Sequence, residues 1–175
     1  YARGIDYNVD FSTRFSAVNY SLRLFATRSL EQSEEEFRAT EIFLDNDLRE
    51  FGNPEWRVNI TNIFEVGDWS FLWQSRYISE MIEDNDDPED PVTTFFSPCV
   101  QAGDTPCLSY DNVDDYWVHD VSAAWRNGMY VVRAGVRNVF DEAPPLTNNN
   151  DLGTLGGIGY DLRGRTVFLN ITLAL

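Results

Sequence analysis

Seven stretches of this chain alternate apolar and polar residues one by one. An alternation of period two puts the two classes on opposite faces of a β-strand, so each stretch is a ribbon with two different surfaces. In Gly4–Phe15, Ile5, Tyr7, Val9 and Phe11 share one face, while Asp6, Asn8, Asp10 and Ser12 share the other. The same pattern predicts strands over Val18–Arg28, Trp56–Val66, Trp69–Ile78, Asp115–Trp125, Met129–Val139 and Tyr160–Leu175. Asn62 is an exception on the apolar face of the third, and the fifth is less cleanly patterned, with Val121, Ala123 and Trp125 in phase. Ser16-Ala17, Gly67-Asp68 and Asn127-Gly128 are short hairpin turns, Asn-Gly being the strongest such signal. Long loops separate the hairpins. They are Ser29–Pro54, acidic and with room for a short helical turn; Ser79–Asp114; and Phe140–Gly159, rich in Pro, Asn and Gly.

Turns short at one end and loops long at the other are the layout of a bacterial outer-membrane β-barrel. A soluble β-sandwich or lipocalin-like barrel also alternates. The placement of charge separates them. Asp6, Asp10, Arg23, Arg57, Glu65, Arg76, Arg133 and Arg137 all fall on the polar faces, and the apolar faces hold no charge within the spans. Lipid demands that exclusion, because an Arg near mid-bilayer costs about 2–4 kcal/mol. Aromatic residues also gather at strand ends. Trp56, Tyr77 and Tyr116 lie toward the long loops, and Tyr20, Phe64, Trp69, Trp125 and Tyr130 toward the turns, as two membrane interfaces would require. The fold class expected is therefore all-β, an antiparallel transmembrane barrel. With a net charge of −16 and no Lys, the chain would repel nucleic acid and makes a poor basic membrane anchor. No apolar run reaches the length of a transmembrane helix. The chain opens almost directly into a strand without a signal peptide, as a mature product or an internal piece would.

Cys99 and Cys107 flank a short polar segment whose Gly and Pro suit a loop closed by a disulfide, which implies an oxidising compartment; two free thiols are the alternative. The run Glu83–Asp90 is oxygen-rich enough for a hard cation but lacks the Gly and Glu spacing of an EF-hand. A solvated charge run suits it better than a specific site, and diffuse bridging to lipopolysaccharide through divalent ions is as open as that site. The lone His119 has no Cys or Ser in evident reach, and its neighbour Asp120 points to the opposite face, so no enzyme, metal site or cofactor is expected.

Seven strands cannot close a bacterial barrel, whose strand number is even, and an open sheet would leave unpaired edges in lipid. Either one strand is hidden or the chain belongs to a larger barrel. Ala134-Gly135-Val136-Arg137-Asn138-Val139-Phe140-Asp141-Glu142-Ala143-Pro144-Pro145 resembles the G-V-x-N-L-F-D-x-x-P-P segment of TonB-dependent outer-membrane receptors. Tyr160-Asp161-Leu162-Arg163-Gly164-Arg165 is similar to the Y-D-x-x-G-R that opens their last strand, and Pro54–Arg57 with Gly67–Trp69 is similar to an upstream hairpin. Leu175 departs from the terminal aromatic usual in barrel proteins.

The resemblance implies that residues 1–175 are the C-terminal seven strands of a 22-stranded barrel whose plug domain lies outside this chain. It further implies TonB-energised uptake, across the bacterial outer membrane, of a scarce solute such as a siderophore complex, cobalamin or a glycan. The partners implied are the rest of the barrel, the plug and through it the TonB complex, outer-membrane lipid and lipopolysaccharide, and a small-molecule ligand. Arg23, Arg57, Arg76, Arg133 and Arg137 would face plug or ligand, with plug carboxylates the preferred partners. The alternatives are a self-contained small outer-membrane barrel acting as adhesin, anchor or passive pore, and a soluble ligand-binding β-domain.

Overall fold

A computed structural model describes residues 1–38, 41–82, 112–145 and 152–173. The strands are β1 (Ala2–Phe15), β2 (Val18–Arg38), β3 (Glu41–Asn46), β4 (Trp56–Val66), β5 (Trp69–Ile78), β6 (Met81–Ile82), β7 (Asn112–Val113), β8 (Tyr116–Asn127), β9 (Tyr130–Arg137) and β10 (Thr166–Leu173). A short helix, α1, spans Leu152–Ile158. The chain is all-β. Its main sheet is antiparallel, in the order β1-β2-β4-β5-β8-β9-β10, with β3 paired to the far half of β2. Among the described residues the sheet is open, since β1 and β10 pair with one neighbour each.

Three hairpins are closed by two residues each, Ser16-Ala17, Gly67-Asp68 and Gly128-Met129. The first of each pair has positive φ (53°, 55° and 52°) and the second does not, as in a type II′ turn. The third turn sits one residue later than Asn-Gly suggests, leaving Asn127 as the last residue of β8.

The expected acidic loop after Arg28 is instead a continuation of β2. Residues up to Gln32 pair with β1, and Ser33–Arg38 pair with β3. Here Ser29–Gln32 are all half-buried, Ser33 is buried and Glu34 and Glu35 are both exposed, so exposure does not alternate along the strand and the pattern does not reveal it. A bulge between Arg3 and Gly4 marks the changeover. A Cβ on Gly4 would stand 2.9 Å from the carbonyl oxygen of Arg28, so the two backbones can approach only at a glycine.

The last strand begins at Thr166, six residues later than expected, because Tyr160–Arg165 is folded against α1. The preceding strand ends at Arg137, where Asn138 turns the chain with φ 49°. Trp56–Val66 and Trp69–Ile78 fall at the expected limits.

The register places the alternating residues on two continuous surfaces. Tyr7, Ala26, Val58, Tyr77 and Trp117 form one row across five strands; Phe11, Leu22, Asn62, Trp73, Val121, Val136 and Val167 form another. Between its aromatic ends this surface carries no Asp, Glu or Arg among the described residues, and Arg28 lies only at its rim. It is bare: Val9 is 48% exposed, Phe71 43% and Leu169 64%. Asn62 does lie on it, satisfied by the hydroxyl of Tyr20, which donates to its Oδ1 at 2.8 Å. Tyr7, Trp56, Tyr77 and Trp117 ring its long-loop end, and Tyr20, Phe64, Trp69 and Trp125 its turn end. Tyr116, expected in the first group, is on the opposite face and buried, and Trp117 takes its place.

The buried core is small and belongs to the other face. Ile78, Tyr116 and Val118 pack there with Met81, Val113, Leu155, Ile158 and Tyr160. Thus α1 and the segment after it lie against the polar face near its long-loop end. No described helix is long and apolar enough to cross a membrane.

Candidate functional site

The polar face carries Arg14, Arg23, Arg57, Arg76, Arg126, Arg133 and Arg137 against Asp6, Asp10, Glu65 and Asp120. That is a surplus of positive charge on a chain whose net charge is −16. Arg23 pairs with Asp10 at 3.1 Å across the first hairpin. The Arg57 guanidinium donates to the carbonyl of Ile158 at 2.5 Å and to that of Gly52 at 3.4 Å, which ties the end of α1 to β4. Arg76 meets Asp120 at 3.4 Å. Arg137 has no carboxylate partner among the described residues, and its guanidinium lies over the Phe168 ring, 5.5 Å from the centroid. Arg133 lies toward the turn end, exposed and without an ion pair among the described residues.

Two of the five arginines singled out by sequence, Arg76 and Arg137, line a common cleft of about 610 Å³. Its walls are Gln74, Arg76, Asp120 and Arg137 from the strands, and Gly156 with Tyr160–Arg163 from the folded-in segment. Arg163 brings a third guanidinium. Its backbone N–H donates to Asp161 Oδ1 at 3.0 Å, and its side chain has no partner among the described residues. Asp120 is committed to the scaffold, accepting the backbone N–H of Asn138 at 2.8 Å in addition to Arg76. Tyr160 is buried, which pushes its phenol up to about 12, and its hydroxyl has no hydrogen-bond partner among the described residues.

The two segments that carry the resemblance meet just beyond Arg137 and Arg163 of this cleft. Asn138 is fully buried; its side chain donates to the carbonyl of Glu142 and accepts that residue's N–H, both at 2.8 Å. Asp141, with φ 62°, accepts the backbone N–H of Arg165 at 2.7 Å and faces its guanidinium at 3.3 Å. These bonds hold the Asp141 carboxyl below the usual carboxylate range. Gly164, with φ 67°, leaves room for that carboxylate, since a Cβ there would come within 3.1 Å of it. The N-x-x-D and G-R signatures are thus the two halves of one clasp, which closes the β9–β10 connection and aims Tyr160–Arg163 at the polar face. The resemblance marks these residues without showing what they hold, and strand alternation does not place Asp120 and Arg163 in the cleft. The Asn138–Asp141 spacing beside Gly164-Arg165 was the available signal.

Against the expectation of no Ser in reach, His119 lies on the apolar face 2.8 Å from Ser75 Oγ, its partner across β5 and β8, and 3.3 Å from Trp73 Nε1, while Asp120 is on the other face. The two therefore cannot act on one substrate atom. Cys99, Cys107 and the Glu83–Asp90 run lie outside the described residues.

No known family model and no curated protein matches the chain. Among solved structures it is similar to the ferric-catecholate import receptor Fiu of Escherichia coli K12 in its closed form, with 14% identity and a TM-score of 0.47. The likeness covers 98% of this chain and 27% of the receptor, so the chain spans about a quarter of that protein's length.

Proposed function

We propose that this chain is a stretch of the wall of an outer-membrane β-barrel of the TonB-dependent receptor type, with the loops that crown it, and that it serves energised uptake of a scarce solute. The observation that carries the reading is the exposed apolar surface, unbroken by charge between two aromatic rows. Trp69 and Tyr77, at opposite ends of β5, are eight residues apart, or about 26 Å along the strand. That length suits the apolar band of a bilayer once the strand tilts. In water such a surface would be covered by a second layer. Here the packed core forms on the other face instead.

The open edges support membership of a larger barrel over a self-contained one. Each unpaired N–H or C=O in hydrocarbon costs several kcal/mol, so β1 and β10 need strands beyond those described. The clasp built from the two resembling segments supports the receptor type. On this reading the polar face lines the bore, where Arg23, Arg57, Arg76, Arg133 and Arg137 face plug or solute.

The test is to reconstitute the whole barrel that this chain would belong to into phospholipid vesicles, with tryptophans outside residues 1–175 replaced by Phe, and to measure tryptophan quenching by lipids carrying nitroxide at graded depth. Trp73 should be quenched most by deep labels, and Trp69, Trp117 and Trp125 by shallow ones. Quenching by an aqueous quencher alone, with none from lipid, refutes membrane insertion. Loss of TonB-dependent growth on the limiting solute after deletion of the gene tests the transport assignment separately.

A further inference from the structure

We propose that the cleft between the folded-in segment and strands β5, β8 and β9 binds a carboxylate or phosphate of a small solute, gripped by Arg137 and Arg163. This goes beyond the transport reading and does not depend on it, because every participating residue lies within the described chain.

Four observations carry it. The cleft holds about 610 Å³, enough for a small polyanion. Of its three guanidinia, only Arg76 is neutralised by a carboxylate, that of Asp120. Arg137 instead lies over the Phe168 ring, 5.5 Å from its centroid, a contact that leaves its charge uncancelled. The acids that also line the cleft direct oxygens to backbone donors, Asp120 to the N–H of Asn138 and Asp161 to that of Arg163. Three arginines and two aspartates thus line one volume, and Arg137 and Arg163 have no ion pair among the described residues, which leaves net positive charge and two guanidinia for planar oxyanions that accept two parallel hydrogen bonds. The folded-in segment that supplies Arg163 is fastened at both ends, by Arg57 on Ile158 and by Asp141 on Arg165, so the site is built before ligand arrives.

The experiment uses the full chain in detergent micelles, titrated calorimetrically with citrate and with inorganic phosphate as probes. Wild-type protein should bind at least one of them, with affinity falling as salt is raised. Arg137→Gln and Arg163→Gln should each weaken binding by about tenfold or more, the effect of losing a charge-assisted pair. Arg137→Lys, which keeps the charge but loses the fork, should weaken it as well, whereas Arg3→Gln at the outer rim should leave it unchanged. Circular dichroism of each variant separates lost binding from lost fold. Failure of the wild type to bind either probe at millimolar concentration overturns the proposal, including the case in which another carboxylate of the polypeptide already fills the cleft. Unchanged binding in both glutamine variants overturns it too. Neither result touches the lipid-quenching test, so the two readings fail independently.

Discussion

Gly135 is the position where one added carbon should be most costly. It lies on the polar face of β9 between Ser122 of β8 and Phe168 of β10. A Cβ there would stand 2.6 Å from the Phe168 ring, 2.6 Å from the carbonyl oxygen of Val121 and 2.7 Å from Ser122 Cβ. The ring can swing away, but the Val121 oxygen is in the backbone of a paired strand. Overpacking of this kind costs about 1–3 kcal/mol. Against it, replacing Gly by Ala stiffens the unfolded chain and returns about 0.4–1 kcal/mol. Gly135→Ala should therefore destabilise by about 1.3 kcal/mol. Phe168→Leu removes the ring contact and leaves the other two, so the double variant should recover about 1 kcal/mol relative to additivity. Urea unfolding of the folded full chain, followed by tryptophan fluorescence, measures all four corners of the cycle. A Gly135→Ala loss below about 0.5 kcal/mol, or strict additivity with Phe168→Leu, would refute this packing of β9 between its neighbours.

Tyr160→Phe removes a buried hydroxyl without a partner among the described residues and should stabilise the chain by about 1 kcal/mol in the same assay; a loss of that size would mean the hydroxyl is satisfied. Arg57→Met deletes the bonds to Ile158 and Gly52 and should speed amide exchange in α1 while leaving β4 protected; unchanged exchange in α1 sinks the tether. Leu24→Arg on the apolar face should cost about 2–4 kcal/mol in vesicles if it sits near mid-bilayer, where a surface in water would tolerate it. The Asp141 clasp should depend on acid. The folded carboxyl titrates below its ordinary 3.8, so its contribution is fully present above that value and is lost as pH falls through the lowered one. Exchange of the Arg165 amide, corrected for its intrinsic pH dependence, should rise over that interval in the wild type and be insensitive to it in Asp141→Asn.

How much of this was legible depended on which surroundings a residue meets. Where one face is apolar and the other polar along the whole strand, as in β4 and β5, alternation located strands to the residue and sorted Arg23, Arg57, Arg76, Arg133 and Arg137 onto one surface. Beyond Arg28 both faces of β2 leave that two-sided environment, and the code goes silent although the ladder continues. Tyr116 was misplaced because a Tyr-Trp pair at a strand start offers two residues for one belt, and only the register decides between them. The folded-in segment was illegible for another reason. Its position rests on Asn138, Asp141 and Arg165, which act between residues 24 apart, a separation no periodicity spans. The cleft followed from that segment, so Arg163 could not be added to the arginine set by strand pattern.

The β2–β3 ribbon has one more consequence. Past Arg28, where β4 lets go, β2 runs ten residues further, about 33 Å of chain at the rise of a strand. It carries the exposed Glu34 and Glu35 six and seven residues beyond Arg28, about 20 Å of chain and more than twice the roughly 8 Å over which charges feel one another at physiological salt. Like a fence set back from a doorway, the acidic ribbon can turn anions aside in dilute buffer yet leave their passage unhindered in a saline medium. The ionic strength of the medium, and not the sheet itself, would then set how fast an anion reaches the arginines.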